Sequence, residues 1–288
     1  MKWPAIGYLR ASSLDGLWAA MAEHGAAAQI MAGGQTLLAT LAFRLSEPSL
    51  LLDITHIPEL RGITVAGNTL RIGALTRHVE LGRDALVRAH APLLSEAVPL
   101  IAHPAIRNRG TIGGSLAYAD PAAELPACIV ALDAVVVAVS AGGERRIPAR
   151  DFFTDLLQTA LVPGEIIAAV EIPLLERVSA IQEIARRSGD YAMAGLAAAL
   201  RIEAGRVVCP RLVYFGVGNG PVLAARAAAA LEGAALDAAS IAAAQAALAE
   251  DLDPQQDLHG PPEMKRHLAR VLTARVLGGF LPTRELAA

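Results

Sequence analysis

The sequence is poor in side chains that bind metals. Its 288 residues include only two cysteines, Cys128 and Cys209, which form no CxxC pair and no zinc or iron–sulfur spacing. The seven histidines are scattered, and no two of them stand in an HxxxH pair. We therefore predict no metal site in this chain.

Long apolar runs and an excess of positive charge are also missing. The alanine-rich segment 223–249 is interrupted by Arg226, Glu232, Asp237 and Gln245, which argues against a membrane span. The net charge of −3 leaves no basic footprint for nucleic acid. The opening MKWPAIGYLR lacks the continuous apolar stretch of a secretory signal, so we expect a cytoplasmic protein.

Aliphatic residues fill the sequence instead. Hydrophobic residues make up 54% and aromatic residues only 4%, which predicts a core built from Ala, Leu, Val and Ile. A helix is predicted from Ser13 to Gly25, and a second over 36–45 with Leu37, Leu38, Leu41 and Leu45 turned inward. The remaining predicted elements before residue 176 are strands at 26–31, 51–54 and 165–174, hairpins at 63–75 and 134–149, and a helical stretch at 76–102 broken at Pro92.

The pattern changes near residue 176. Three strands follow, IQEIARRS, AMAGLAAALRI and VVCPRLVYFGVG, and the chain is almost wholly helical after Pro221. A run of strands followed by a run of helices indicates a separate α+β domain. We therefore predict one domain over 1–176 and a second over 177–288.

The segment AGGQT (32–36) joins a predicted strand to a predicted helix. The first N–H groups of a helix lack partners within it, and glycines let an anion approach the backbone closely. Thr36 can cap the helix or donate to a ligand. Taken alone, this segment is explained more simply as an ordinary tight connection between strand and helix.

A second paired-glycine segment, RGTIGGSLAYAD (109–120), is more informative. Thr111, Ser115 and Asp120 surround two positions without side chains, and Glu124 follows in a proline-flanked loop. Two glycine turns that meet on one ligand indicate a long molecule with a central diphosphate, such as a dinucleotide. Asp120 precedes Pro121, so it can also serve as a turn former.

The usual dinucleotide fingerprint is absent. GVGNGP (216–221) imitates GxGxxG, but Pro221 occupies the third glycine position. We interpret this segment as a strand end and a turn. A bound dinucleotide would therefore not use a Rossmann turn.

A family resemblance accounts for these features together. The strings MAGGQTLLATLAFRL, LRIGALTRHVEL, IAHPAIRNRGTIGGSLAYADPAAELPA and ARRSGDYAMAG occur in this order. With them the whole chain closely resembles the FAD-binding medium subunit of the molybdenum hydroxylases, the family of xanthine dehydrogenase and aerobic carbon monoxide dehydrogenase.

The resemblance implies an α+β fold in two parts. The first is a FAD-binding domain of the vanillyl-alcohol-oxidase (PCMH) type, whose two subdomains divide near 55–60. The second is a smaller α+β domain with a three-stranded antiparallel sheet and helices.

The resemblance also implies a complex. A large subunit carries molybdopterin and a small subunit carries two-iron two-sulfur clusters, in a dimer of heterotrimers. This chain takes electrons from the clusters onto FAD and passes them to an external acceptor.

The resemblance further implies which residues bind FAD. The first pyrophosphate loop comprises Ala32, Gly33, Gly34, Gln35 and Thr36, followed by Leu37, and the second comprises Thr111, Gly113, Gly114 and Ser115, followed by Asp120. Glu124 stands near the nucleotide portion, Ile167 offers a backbone contact to adenine, and Gln182 is a polar contact. Tyr191 is implied to lie beside the isoalloxazine ring, where it stacks or gates access.

Two alternatives stay open at this stage. One is a stand-alone flavin oxidase of the same fold, although the short C-terminal part shows no obvious catalytic base. The other is a non-catalytic assembly subunit that has lost FAD, although its glycines at 33, 34, 113 and 114 are intact.

Overall fold

A computed structural model describes residues 5–281 of the chain. They form two compact units, one of residues up to 119 together with 133–174, the other of 120–132 together with residues from 175 onward. Segment 120–132 thus belongs to the second unit, which no pattern in the sequence indicated. Residues 1–4, part of the opening stretch used to judge a signal, lie outside the described residues.

The first unit begins with a small parallel sheet in the order β1-β3-β2. Its strands are β1 (Gly7–Arg10), β2 (Ala28–Met31) and β3 (Leu50–Asp53), and its helices are α1 (Leu14–His24) and α2 (Leu37–Ala42). The predicted start and stop of α1 are confirmed, because the Ser13 side chain accepts from Gly16 N–H at 3.1 Å and Gly25 has φ 52°.

The predicted second helix is too long. It ends at Ala42, and Arg44 follows with φ 56°. Leu41 is buried as predicted, but Leu45 lies beyond the helix and is 77% exposed. The inward placement of Leu45 was therefore wrong, because a helical period was extended past a backbone reversal.

A five-stranded antiparallel sheet forms the rest of the first unit, in the order β4-β5-β10-β6-β7. Its strands are β4 (Ile63–Ala66), β5 (Thr69–Gly73), β6 (Val135–Ser140), β7 (Gly143–Pro148) and β10 (Ile166–Pro173), with the small pair β8 (Phe153–Asp155) and β9 (Gln158–Thr159). Both predicted hairpins are confirmed, since β4 pairs with β5 and β6 with β7.

Short helices connect these strands. They are α3 (His78–Leu81), α4 (Ala85–His90), α5 (Pro92–Ala97), α6 (Pro104–Arg107) and α7 (Ile112–Tyr118). Pro92 does begin a new helix, as predicted, but a further break occurs before it, where Asp84 caps α4 through Leu86 N–H and Val87 N–H. Buried Leu17, Leu52, Leu75, Val137 and Ile166 belong to one hydrophobic cluster of this unit.

The second unit packs helices against an antiparallel sheet ordered β11-β12-β13-β14. Its elements are α8 (Glu124–Ala131), β11 (Val178–Ala185), β12 (Ala192–Glu203), β13 (Arg206–Phe215), β14 (Val222–Leu223), α9 (Ala225–Leu231), α10 (Ala238–Asp251) and α11 (Pro262–Gly278). The three predicted strands are present. The count of three was wrong, because Val222–Leu223 adds a two-residue fourth strand that is too short to show a sequence pattern.

The described residues contain neither a membrane-spanning helix nor a cluster of metal-binding side chains. No helix within 5–281 is both long and apolar enough to cross a bilayer. The same residues hold no group of three or more His, Cys, Asp or Glu side chains placed to bind a metal ion.

Candidate functional site

The first glycine turn lies at the carboxyl edge of the parallel sheet. It follows β2 and leads into α2, and its shape is held by the Gln35 side chain, which donates from Nε2 to the Gly33 carbonyl at 2.9 Å. Gly34 has φ 72°, a conformation that residues with a side chain rarely adopt. Thr36 occupies the N-cap position without a side-chain cap bond, so its predicted capping role was wrong.

The second glycine turn begins α7 and is tied to the end of β5. The Thr111 hydroxyl caps this helix by accepting from Gly114 N–H at 3.1 Å. Ile112 N–H donates to the Thr76 carbonyl at 3.0 Å, and Gly113 N–H donates to the Ala74 carbonyl at 2.8 Å.

The N–H groups of residues 112–115 in the second turn are consequently used within the protein. Ser115 N–H also has an internal acceptor, the Thr111 carbonyl at 3.0 Å. The first turn is different, since the N–H groups of residues 33–37 find no acceptor among the described residues. Most free main-chain donors for an anion therefore come from the first turn, and the second turn adds Thr111 N–H, which has no acceptor among the described residues.

The two turns contact each other. A Cβ atom added at Gly33 would overlap the carbonyl oxygen of Arg109 and lie 2.8 Å from its carbonyl carbon. A Cβ at Gly114 would lie 3.9 Å from the Ala32 Cβ atom. What approaches the backbone of Gly33 so closely is thus the other turn.

The four glycines that were predicted to face a phosphate have different physical roles. Gly33 allows the turns to touch, and Gly34 allows a positive φ. Gly113 packs against β5, since a Cβ atom there would lie 2.6 Å from the Ala74 Cβ atom. Only Gly114 has open space, because its added Cβ would meet Thr111 Oγ1 at 3.0 Å and little else.

A cavity of about 240 Å³ adjoins both turns. It is smaller than the ~300–1,000 Å³ that usually holds a drug-sized ligand, so it suits one part of an extended molecule. Its lining includes Ala32, Gly33, Gly34 and Thr111 of the predicted set, together with four arginines and one carboxylate that were not predicted: Arg10, Arg61, Arg77, Arg109 and Asp53.

Asp53 is a buried carboxylate at the end of β3. It accepts from Tyr8 Oη at 2.5 Å and from Thr55 N–H and Oγ1 at 2.8 and 2.6 Å. Burial alone would raise the pKa of Asp53, but hydrogen bonds from Thr55 and Tyr8 outweigh it and hold the pKa below its usual value. Asp53 is therefore ionised and partnered at neutral pH.

A topological signal could have found two of the missed residues. Arg10 and Asp53 end the parallel strands β1 and β3. Ligands bind outside the carboxyl ends of parallel strands in open α/β sheets, so the last residue of each predicted strand was a candidate. No comparable signal marks Arg77 and Arg109, because their common cavity depends on the contact of distant segments.

The second unit holds the remaining predicted residues except Ile167. Asp120 Oδ1 accepts from Ala122 N–H at 2.9 Å, which confirms its role as a turn former, and burial raises its pKa. Glu124 begins α8, and burial raises its pKa to about 8, with Glu183 and Asp120 adding repulsion. The Glu183 carboxylate was missed, because it lies on a strand without any motif.

Glu183 resembles Glu124 in its electrostatics. Burial raises the pKa of Glu183 to about 7, and its buried Oε2 finds no hydrogen-bond partner within the described part of the chain. Three carboxyl groups of this unit, those of Asp120, Glu124 and Glu183, thus hold their protons to higher pH than usual. Protonated carboxyls can donate hydrogen bonds as well as accept them.

The other three predicted residues lie in distinct surroundings. Gln182 is exposed on β11, and Tyr191, just before β12, is 60% exposed. Ile167 is a buried residue of β10 in the first unit, next to a register shift in the pairing of β10 with β6. Its side chain fills the interior, so only its backbone could serve the contact that was predicted.

The raised pKa of Glu124 predicts a pH-dependent stability. The folded chain keeps this proton up to about pH 8, whereas the unfolded chain releases it near the ordinary value of 4.5. The free energy of unfolding should therefore fall as pH rises between these values. Glu124→Gln should flatten this fall by on the order of 1–3 kcal/mol, a range reduced for partial exposure.

Urea unfolding of the purified chain at pH 5, 6.5 and 8 measures this effect. Glu263→Gln, which changes an exposed glutamate in the first turn of α11, is the matched control and should keep the wild-type slope. Equal slopes in wild type and Glu124→Gln would contradict the prediction.

Two known families match successive parts of the chain. A family described as "FAD binding domain in molybdopterin dehydrogenase" matches residues 4–175. A second, described as "CO dehydrogenase flavoprotein C-terminal domain", matches residues 179–279.

Curated relatives match along nearly their whole length. The chain is 41% identical to the 6-hydroxypseudooxynicotine dehydrogenase complex subunit alpha of Paenarthrobacter nicotinovorans, covering 99% of both chains. It is 35% identical to the caffeine dehydrogenase subunit beta of Pseudomonas sp. (strain CBB1), covering 96% of this chain and 95% of the relative.

Solved structures are similar to this chain along nearly its whole length. A chain of the carbon monoxide dehydrogenase of Hydrogenophaga pseudoflava superposes with a TM-score of 0.94 at 35% identity, covering 96% of this chain and 98% of that one. A chain of quinoline 2-oxidoreductase from Pseudomonas putida 86 gives a TM-score of 0.92 at 38% identity, with 97% and 98% covered.

Proposed function

Because the chain belongs to the family of FAD-binding subunits of molybdenum hydroxylases, we propose that it binds FAD at its two glycine turns within a larger complex. There it would take electrons from iron–sulfur clusters of a partner subunit and deliver them to an external acceptor. The contact between the two turns, next to the open space at Gly114, is the observation that carries this proposal.

The residues of the first unit fit FAD. The free N–H groups of the first turn suit a phosphate, and the adjoining cavity is rich in arginine. The proposed contacts in this unit are Ala32, Gly33, Gly34, Gln35, Thr36 and Leu37 of the first turn, Thr111, Gly113, Gly114 and Ser115 of the second, and Ile167 through its backbone.

The second unit would supply the remaining contacts. Asp120, Glu124 and Gln182 are the proposed polar ones, and Tyr191 is the proposed neighbour of the flavin ring. Glu124, protonated at neutral pH by its raised pKa, would offer a hydrogen-bond donor as well as an acceptor. When bound, FAD supplies the redox chemistry, and the chain contributes binding and orientation.

The proposed partners are a molybdopterin-binding large subunit and a small subunit with two-iron two-sulfur clusters, in a dimer of heterotrimers in the cytoplasm. Relatives named as subunits of dehydrogenase complexes support a multi-subunit assembly. We also propose domains at 1–176 and 177–288, with the first divided near 55–60.

Purification of the affinity-tagged chain from its own cells tests this function. We expect a flavin absorption spectrum, one FAD per chain, and copurified iron and molybdenum. Flavin without iron or molybdenum would favour a stand-alone oxidase. Iron and molybdenum without flavin would favour an assembly subunit that has lost FAD. Either result would overturn the proposal.

Tyr191→Phe tests the proposed place of this side chain. The variant should keep FAD but change the rate of reoxidation by the acceptor about 2- to 10-fold, the effect of one hydrogen bond. Stopped-flow absorbance of the purified complex measures both half-reactions, and reduction by the substrate serves as the internal control. An unchanged rate of reoxidation would remove the Tyr191 hydroxyl from the reaction.

A further inference from the structure

The cavity beside the glycine turns holds more positive charge than its own residues neutralise. Its lining has four arginines but a single carboxylate, Asp53. Arg10 forms an ion pair with that carboxylate, since its Nε lies 3.7 Å from Asp53 Oδ2. Arg61 has a neutral partner in the lining, since its Nη2 donates to the Thr55 carbonyl at 2.6 Å.

Arg77 and Arg109 are the remaining two arginines. Neither guanidinium has an acidic partner within 4.0 Å among residues 5–281, although both side chains line the cavity. A lining with two guanidinium groups that lack an acidic partner favours an anionic ligand, because an anion would neutralise their charge.

The backbone places Arg109 at the start of the second turn and Arg77 beside that turn. Arg77 forms an antiparallel bridge with Thr111, and the next residue, His78, donates its N–H to the Gly110 carbonyl at 2.9 Å. The Arg109 carbonyl lies against Gly33 of the first turn. The backbone of both residues is therefore held by the second turn, and Arg109 also adjoins the first.

The second turn has little else with which to bind a phosphate. The N–H groups of residues 112–115 already donate within the protein. Its helix α7 has only seven residues, so its dipole is a weak attraction. Apart from Thr111 N–H, binding of an anion from this side must come from side chains.

We propose that Arg77 and Arg109 bind the diphosphate of FAD from the side of the second turn, opposite the free N–H groups of the first turn. This inference rests on the proposed function. A guanidinium presents a planar set of donors that matches phosphate oxygens, and two of them balance the two negative charges of a diphosphate. The pair thereby makes flavin retention depend on the diphosphate and on ionic strength.

Titration of the flavin-depleted full-length chain with FAD, followed by flavin fluorescence, tests the pair. Arg77→Gln and Arg109→Gln should each raise the Kd for FAD about 10-fold, and the double variant about 100-fold, as expected for charge-assisted hydrogen bonds. The increase of Kd between 50 and 500 mM NaCl should be large in wild type and small in the double variant.

Three further measurements separate binding from folding. Arg88→Gln, which removes an exposed arginine of α4 outside the cavity lining, should leave the Kd unchanged. Arg77→Lys and Arg109→Lys should restore part of the affinity, because lysine keeps the charge but not the planar fork. The melting temperature of the flavin-free double variant should equal that of flavin-free wild type.

These measurements distinguish failure of the arginine pair from failure of the proposed function. A wild-type chain that binds no FAD would refute the proposed function itself. A wild-type chain that binds FAD, with an unchanged Kd and salt dependence in the double variant, would overturn only the arginine pair. An unchanged Kd with altered salt dependence of reoxidation would also overturn it, by assigning the arginines to an anionic acceptor.

Discussion

Replacement of Gly33 by alanine should destabilise the first unit and release its flavin. The new methyl group would overlap the Arg109 carbonyl oxygen and would lie 2.9 Å from the Cα atom of Gly110. Both neighbours are backbone atoms, and Arg109 N–H and Gly110 N–H are each bonded to the Ile106 carbonyl. The second turn cannot move aside without loss of these bonds, so we expect a cost of about 3 kcal/mol.

Thermal unfolding of the flavin-free chain measures this cost. A loss of about 3 kcal/mol corresponds to a decrease of roughly 6–12 °C in the midpoint. Gly142→Ala is the control, since its added Cβ would meet only Ser140 Oγ at 3.5 Å. A Gly33→Ala midpoint within about 1 °C of wild type would show that the turns do not require this contact.

Gly114→Val should also release the flavin, but it should leave the fold intact. Gly114 lies in the first turn of α7, and an added side chain meets Thr111 Oγ1 at 3.0 Å and otherwise open space beside Ala32. We expect stability within about 1 kcal/mol of wild type. If a phosphate of FAD uses that space, the Kd should rise at least 100-fold, or about 2.7 kcal/mol.

The adjacent glycine provides a sharp comparison. Gly113→Ala places its methyl 2.6 Å from the Ala74 Cβ atom, so it should lower the melting temperature of the flavin-free chain. Gly114→Val should leave this temperature nearly unchanged while the ratio of flavin to protein falls. A normal flavin ratio in Gly114→Val would remove this turn from the site.

Local sequence patterns predicted many of the elements. Helix α1, both hairpins and the three long strands of the second unit follow from capping residues, turn residues and hydrophobic periodicity. GVGNGP is a strand end and a turn, as predicted, since Gly216 follows β13 with φ 74°. Its N–H donates to the Pro121 carbonyl, and its carbonyl accepts from Lys265 Nζ. Errors occurred at ends of elements, at Leu45 and at the two-residue strand β14, where too few residues carry a pattern.

The sequence by itself determined which family this chain belongs to and which segments carry its glycine turns, because such motifs are contiguous. Only the tertiary structure decided what each glycine is for. Gly33 and Gly113 accommodate other parts of the protein, and Gly114 alone leaves open space. The tertiary structure also brings Arg77 and Arg109 to one cavity. The physical reason is that close approach and shared charge are properties of atoms distant along the chain, and no local pattern records them.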